Sequence, residues 1–128
     1  MRVLLDTNTL LWAGYDPTSL SKNAAAMIAD PSSTILVSSA SAWEIATKVR
    51  LGKLPGAEQL EREFGERIAK AGYLLLSIDV PCALRAGRLV GDHRDPFDRM
   101  IAAQALAEDI PVISNDTKLD SFGIRRIW

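Results

Sequence analysis

A chain of 128 residues with 48% hydrophobic and 24% charged residues has the composition of one soluble globular domain, and it is too short for two. Its 15 basic and 16 acidic residues leave a net charge of −1, which excludes a general positive field for attracting nucleic acid. One cysteine excludes an internal disulfide bond. No apolar run is long enough for a transmembrane helix or a signal peptide, so we expect a cytoplasmic protein without membrane association.

Short apolar strands alternate with helices along the chain. Ser21, Asp79 and Asp95-Pro96 are typical of helix starts. The pattern predicts five strands, over residues 2–6, 34–38, 73–78, 111–114 and 125–128. Between them it predicts six helices: one through 11 and 12, one from 21 to about 29, and others over about 42–51, 58–71, 79–90 and 95–108.

This alternation predicts an α/β fold. We expect residues 1–128 to form a single domain, a three-layer, Rossmann-like sandwich with a central parallel sheet of about five strands covered by helices on both faces.

Two acids, Asp6 and Asp116, each follow a predicted strand. Open parallel sheets bind their ligands at the carboxyl ends of the strands, so these side chains are candidates for a common site. Clustered carboxylates favour a hard cation such as Mg²⁺ or Mn²⁺. Helix capping is the alternative explanation for each acid, because Asp is a preferred capping residue.

Two further acids lie on predicted helices. Asp98 shares a helical stripe with the apolar residues Ile101 and Ala102, which favours a functional role over a surface acid that interacts with the helix dipole. Glu44 has Lys48 four residues later, so an exposed ion pair is the favoured explanation for it from the residues alone.

Short polar residues accompany these acids. Asn8 and Asn115 lie close to Asp6 and Asp116, where they are candidates for holding carboxylates or metal-bound water, although local turn bonding also explains them. His93, the only histidine, is expected to be a surface residue of a loop.

Four segments of the chain resemble the PIN-domain ribonucleases, and specifically the VapC-type toxins of bacterial toxin–antitoxin pairs. They read MRVLLDTNTLLWA, SSASAWEIATKVRLGKL, DPFDRMIAAQA and the following PVISND. The resemblance implies a PIN-like fold in which Asp6, Glu44, Asp98 and Asp116 are catalytic and bind Mg²⁺ or Mn²⁺. Asn8 departs from the His often found at that position of the subfamily. The resemblance also implies an RNA substrate, a homodimer and a cognate VapB-like antitoxin.

The expected reaction is metal-dependent hydrolysis of RNA phosphodiester bonds. One or two divalent ions would activate water for in-line attack on phosphorus, so no protein nucleophile is required. Two alternatives remain open: a non-catalytic PIN-like binding module, and a receiver-like signalling domain. A receiver-like domain would need paired acids at the first strand and a phosphorylatable Asp after the third, where the chain has Asp79 at a helix start.

Overall fold

Five parallel strands form one sheet in the computed structural model, which describes residues 1–128. The strands are β1 (Arg2–Leu5), β2 (Thr34–Ser38), β3 (Leu74–Leu76), β4 (Val112–Ile113) and β5 (Arg126–Ile127). Their order across the sheet is β3-β2-β1-β4-β5, and every neighbouring pair is parallel. The predicted α/β class and the five-stranded parallel sheet are confirmed.

Seven helices connect and cover these strands. They are α1 (Thr7–Tyr15), α2 (Lys22–Ala29), α3 (Ser39–Arg50), α4 (Glu58–Arg62), α5 (Phe64–Lys70), α6 (Val80–Arg88) and α7 (Pro96–Glu108). Short 3-10 helices occupy Pro17–Ser19 and Thr117–Phe122. The predicted caps are confirmed: the side chain of Ser21 accepts a hydrogen bond from Ala24 N at 3.0 Å, and Asp79 accepts one from Cys82 N at 2.9 Å. None of the helices combines the length and the apolar composition that crossing a bilayer requires.

The side chains of the central strands alternate between two hydrophobic cores. Val3 and Leu5 of β1 enter a core that also contains Leu10 of α1, whereas Leu4 enters a second core with Ile101 of α7. Successive residues of a strand point to opposite faces, so a strand that is apolar throughout needs cover on both sides. The result is the predicted three-layer arrangement.

Two local predictions are wrong. The segment 58–71 forms two short helices instead of one, with a break at Glu63, whose φ of −111° and ψ of 27° lie outside the helical range. Leu60 and Ile68 lie on either side of this break in the same core, and Gly65 weakens the helix between them. Helix α3 begins earlier than predicted, because the Ser38 side chain caps it by accepting a hydrogen bond from Ala40 N at 2.9 Å.

The strand order places the first and fourth strands side by side at the centre of the sheet. Leu4 pairs with Val112 and Leu5 with Ile113, so both strands end at the same level. The chain moves from β1 outward to β3 and then returns to the other side of β1. Such a reversal leaves a crevice at the carboxyl ends of the two strands, where α/β proteins bind ligands.

Candidate metal centre

A polar cavity of about 190 Å³ lies at this crevice. Ten residues line it and none is hydrophobic. The lining includes all four of the predicted acids: Asp6, Glu44, Asp98 and Asp116. These four acids, which are as much as 110 positions apart in the chain, therefore line one small cavity.

Asp6 is positioned by the end of β1 and the start of α1. Its Oδ1 accepts a hydrogen bond from Thr9 N at 2.7 Å, which caps α1, and its Oδ2 accepts one from the hydroxyl of Ser114. The residue is 5% exposed, and this burial raises the pKa of its carboxyl group above the ordinary value, although the two hydrogen bonds oppose the rise. Asp6 therefore caps α1 and also lines the cavity.

Asp116 follows β4 and caps the 3-10 helix by accepting a hydrogen bond from Lys118 N at 3.0 Å. Its own backbone N–H donates to Ser114 Oγ at 3.0 Å. The Ser114 hydroxyl therefore contacts both Asp6 and the backbone of Asp116, and it connects the ends of β1 and β4. Ser114 is fully buried, and its role was not predicted.

Glu44 lies on α3 and is 6% exposed. The residues alone favour an exposed ion pair with Lys48 as its role. The pair does form through Glu44 Oε2, but the carboxylate is buried, so the interpretation as an exposed pair is wrong. The other oxygen, Oε1, is buried without any hydrogen-bond partner. An unpaired buried carboxylate oxygen is costly, which makes this atom a strong candidate for contact with a cation.

Asp98 lies in the first turn of α7, whose start is fixed by Asp95: its Oδ1 accepts hydrogen bonds from Phe97 N at 2.9 Å and Asp98 N at 3.2 Å. The carboxylate of Asp98 bonds the Nε2 atom of His93 at 2.7 Å. Desolvation by burial raises the pKa of Asp98 to about 6, with smaller contributions from the negative charges of Asp95 and Glu44, while the His93 contact lowers it. The carboxylates therefore interact unfavourably when no cation lies between them.

His93 does lie on a loop, but the expectation that it is a surface residue is wrong. Its side chain is only 14% exposed and lines the cavity. The ligating atoms of His93, Asp98 and Asp116 all lie within 4.8 Å of one another. The only signal in the sequence was the short spacing between His93 and Asp98, and a turn at Asp95-Pro96 is needed to bring the two side chains together.

The two predicted asparagines are placed differently. Asn8 lines the cavity, where its predicted supporting role remains a prediction. Asn115 is exposed and is not part of the cavity lining, so no contact supports the role predicted for it. The neighbouring residue Ser114 is the one whose side chain is buried against Asp6, because successive side chains at the end of a strand point in opposite directions. Asp79, the acid that a receiver-like domain would phosphorylate, caps α6 and also lies outside the lining.

The donor set fits a hard divalent cation. Carboxylates from Asp6, Glu44, Asp98 and Asp116 line a cavity without hydrophobic residues, and one buried oxygen has no partner. The ligating atoms of Asp98 and Asp116, together with those of His93, lie within 4.8 Å of one another, a group that does not include Asp6 or Glu44. A cation would satisfy the buried oxygen that has no partner and offset the desolvation and the smaller charge repulsion that raise the pKa of Asp98.

Comparison with known proteins decides the family. The family model described as PIN domain matches residues 3–124. The chain belongs to the PIN domain family. This PIN domain also resembles a curated relative, Ribonuclease VapC16 of Mycobacterium tuberculosis, with 44% identity over 54 residues. That alignment covers 42% of the chain and only 38% of the relative.

Solved structures support the fold of this PIN domain over nearly its full length. VapBC2 from Rickettsia felis, solved with a DNA fragment from its promoter, matches with a TM-score of 0.71 at 18% identity, covering 99% of the chain and 98% of its own. VapBC-1 from nontypeable Haemophilus influenzae matches with a TM-score of 0.66 at 18% identity, covering 99% and 97%. A toxin–antitoxin complex from Klebsiella pneumoniae matches with a TM-score of 0.58 at 23% identity, covering 91% and 88%.

Proposed function

We propose that this chain is a metal-dependent endoribonuclease that hydrolyses RNA phosphodiester bonds and acts as the toxin of a toxin–antitoxin pair. The observation that carries the proposal is the cavity at the ends of β1 and β4, which four carboxylates line and in which Glu44 Oε1 has no partner. Membership of the PIN domain family and the name of the ribonuclease relative support the choice of reaction and substrate.

The four acids would hold the ion, which we propose to be Mg²⁺ or Mn²⁺. When bound, such an ion supplies a Lewis acid for phosphoryl chemistry. The protein's contribution is to keep the carboxylates oriented: the Ser114 hydroxyl and Thr9 N–H hold Asp6, and the Asp95 cap fixes the first turn that carries Asp98. The lining contains no hydrophobic residue, which suits a charged substrate.

Two lysines line the same cavity and provide positive charge for a phosphate. Lys48 is paired with Glu44, and its side chain remains 36% exposed. Lys118 follows Asp116 on the 3-10 helix and is exposed. Phosphate groups are attracted by such local basic residues even when the net charge of the chain is close to zero. We propose that these lysines bind the phosphates on either side of the scissile bond.

The proposed partners follow from the structural relatives. The Rickettsia felis and Haemophilus influenzae proteins are VapBC assemblies, and the Klebsiella pneumoniae structure is a toxin–antitoxin complex. We propose by analogy that the chain binds a VapB-like antitoxin, forms a homodimer and acts in the cytoplasm.

The direct test is cleavage of RNA by the purified chain with Mg²⁺ or Mn²⁺. Asp6→Asn and Asp98→Asn are expected to abolish cleavage, whereas the matched control Asp109→Asn is expected to retain it. Asp109 is exposed at the end of α7 with a φ of 52°, a conformation that Asn also adopts readily. Undiminished cleavage in excess EDTA would contradict the metal-dependent reaction, and full activity of Asp98→Asn would place Asp98 outside the site.

A further inference from the structure

We propose that His93 is a nitrogen ligand of the metal centre, which gives this site a mixed oxygen and nitrogen donor set and a preference for transition-metal ions over Mg²⁺. The inference rests on the proposed metal-dependent function and assigns a ligand beyond the four acids. It starts from the position of the imidazole inside the carboxylate cavity.

The geometry matches a shared ion. His93 Nε2 lies 2.7 Å from Asp98 Oδ2, and the ligating atoms of His93, Asp98 and Asp116 lie within 4.8 Å of one another. Ligands that are each about 2.1 Å from one ion lie at most about 4.2 Å apart, so a contraction of about half an ångström brings all three into contact with it. The imidazole and the two carboxylates are therefore close enough to share one ion after a small movement.

The loop that carries His93 is held in place independently of Asp98. The guanidinium of Arg99 donates hydrogen bonds to His93 O at 3.0 Å, to Ala86 O at 3.0 Å and to Leu89 O. The same guanidinium lies 5.4 Å from the centre of the Phe122 ring. Three carbonyls bound to one planar cation fix the backbone on both sides of the loop.

The loop also lies close against the 3-10 helix. The φ of Gly91 is 150°, and a Cβ atom at this position would lie 3.0 Å from a carbon of the Phe122 ring. A side chain would therefore push the loop away from Phe122. The His93 ring itself lies 6.1 Å from the Phe122 ring. The imidazole is thus pre-oriented toward the acids, which is how metal ligands are usually supported.

An imidazole changes the selectivity of an otherwise all-oxygen site. Carboxylates and carbonyls suit Mg²⁺, whereas imidazole nitrogen suits transition-metal ions, whose affinities rise along the first row from Mn²⁺. A centre that includes His93 is expected to bind Mn²⁺ more tightly than Mg²⁺.

A loss of metal affinity would not by itself identify a ligand. If His93 only oriented Asp98 through the 2.7 Å hydrogen bond, its removal would also weaken metal binding by about 10- to 100-fold. The test must therefore detect the bond between nitrogen and metal directly.

The chain contains one histidine, so any imidazole signal from an untagged protein comes from His93. The full chain is loaded with Mn²⁺ and analysed by electron spin-echo envelope modulation, once with natural nitrogen and once with ¹⁵N-labelled histidine. We expect a ¹⁴N modulation in the unlabelled protein and its replacement by a ¹⁵N modulation in the protein with labelled histidine. Wild-type protein alone gives this result, so it does not depend on the folding of a variant.

His93→Gln provides the second measurement, because Gln retains a group that can donate a hydrogen bond to Asp98. The variant is expected to lose the nitrogen modulation, and the ratio of its Mn²⁺ affinity to its Mg²⁺ affinity is expected to fall by about 10-fold. Bound Mn²⁺ without nitrogen modulation in the wild type, or an unchanged affinity ratio in the variant, would overturn the assignment of His93 and leave the metal-dependent nuclease intact. Failure of the wild type to bind Mn²⁺ would contradict both the assignment of His93 and the proposed metal-dependent nuclease.

Discussion

The hydroxyl of Ser114 donates a hydrogen bond to the carboxylate of Asp6. The same oxygen accepts a hydrogen bond from the backbone N–H of Asp116 at 3.0 Å. One buried side chain therefore holds the acid at the end of β1 and the backbone of the acid that follows β4. The two acids keep their relative position because β1 and β4 pair directly.

Ser114→Ala is expected to weaken Mn²⁺ binding by about 10- to 100-fold. The hydrogen bond from Ser114 opposes the rise in the pKa of Asp6, so its loss raises that pKa further and lets protons compete better with the metal. Isothermal titration calorimetry measures the change. Ser41→Ala is the matched control, because it removes a buried hydroxyl bonded to Thr7 at 2.9 Å without touching a carboxylate. Equal weakening in both variants would assign Ser114 a purely structural role.

Asp98→Asn is expected to raise the melting temperature of the metal-free protein while abolishing RNA cleavage. The substitution removes a charge that burial and the nearby acids Asp95 and Glu44 disfavour. Mn²⁺ at about a 100-fold excess over its dissociation constant stabilises the wild type by about 2.7 kcal/mol, and the variant is expected to gain much less. Thermal unfolding followed by circular dichroism measures both effects. A variant that melts below wild type and responds normally to Mn²⁺ would contradict the placement of Asp98 in the site.

The stability of the metal-free protein is expected to increase as the pH falls from about 7 to about 4. The pKa of Asp98 is about 6 in the folded protein against an ordinary value of 3.8, so the folded state binds its proton more tightly than the unfolded state does. This stabilisation is lost as the pH rises through about 6. Urea unfolding in EDTA at several pH values tests it. Asp98→Asn should flatten the dependence only in part, because the raised pKa of Asp6 acts in the same direction.

Glu44→Gln is expected to relieve the growth arrest that we predict when the chain is expressed alone in bacteria. The change removes the charge of a buried carboxylate whose Oε1 has no partner. Glu63→Gln is the matched control, because Glu63 also pairs with a basic residue four positions later, Arg67, but its side chain is 42% exposed. Growth curves with protein levels measured in parallel compare the variants. Equal arrest by wild type and Glu44→Gln would return Glu44 to the role of an ion-pair residue.

Gln104→Leu is expected to lower the free energy of unfolding by about 1–3 kcal/mol, since it leaves buried polar groups without a partner. The Gln104 amide is 1% exposed, contacts the Ser38 hydroxyl and donates to Leu76 O and Ser77 O, both at 3.3 Å. It thereby joins α7 to the ends of β2 and β3. Urea unfolding measures the loss, and the exposed Gln59→Leu serves as control. A loss no larger than that of the control would show that these hydrogen bonds contribute little.

Local features of the sequence were sufficient to predict most elements of the fold. The β-branched run at Thr34–Ser38 predicted β2 with its observed bounds, and Ser21 and Asp95 predicted the starts of α2 and α7. These predictions succeed because capping and side-chain periodicity act between residues a few positions apart. The four acids were named partly from their places in these elements and partly from resemblance to the PIN-domain ribonucleases.

Other features depend on contacts between distant segments, and the sequence alone did not indicate them. The order β3-β2-β1-β4-β5 places Ser114 against Asp6, 108 positions earlier, and the packing of α3 buries Glu44 where its spacing from Lys48 suggested an exposed pair. The loop before α7 likewise brings His93 onto Asp98. The local pattern determined which residues are helical, extended or capping, because those preferences arise within a few residues of chain. Tertiary structure decided which carboxylates are buried together and what partners they have, because desolvation and charge repulsion depend on every segment that packs around the cavity.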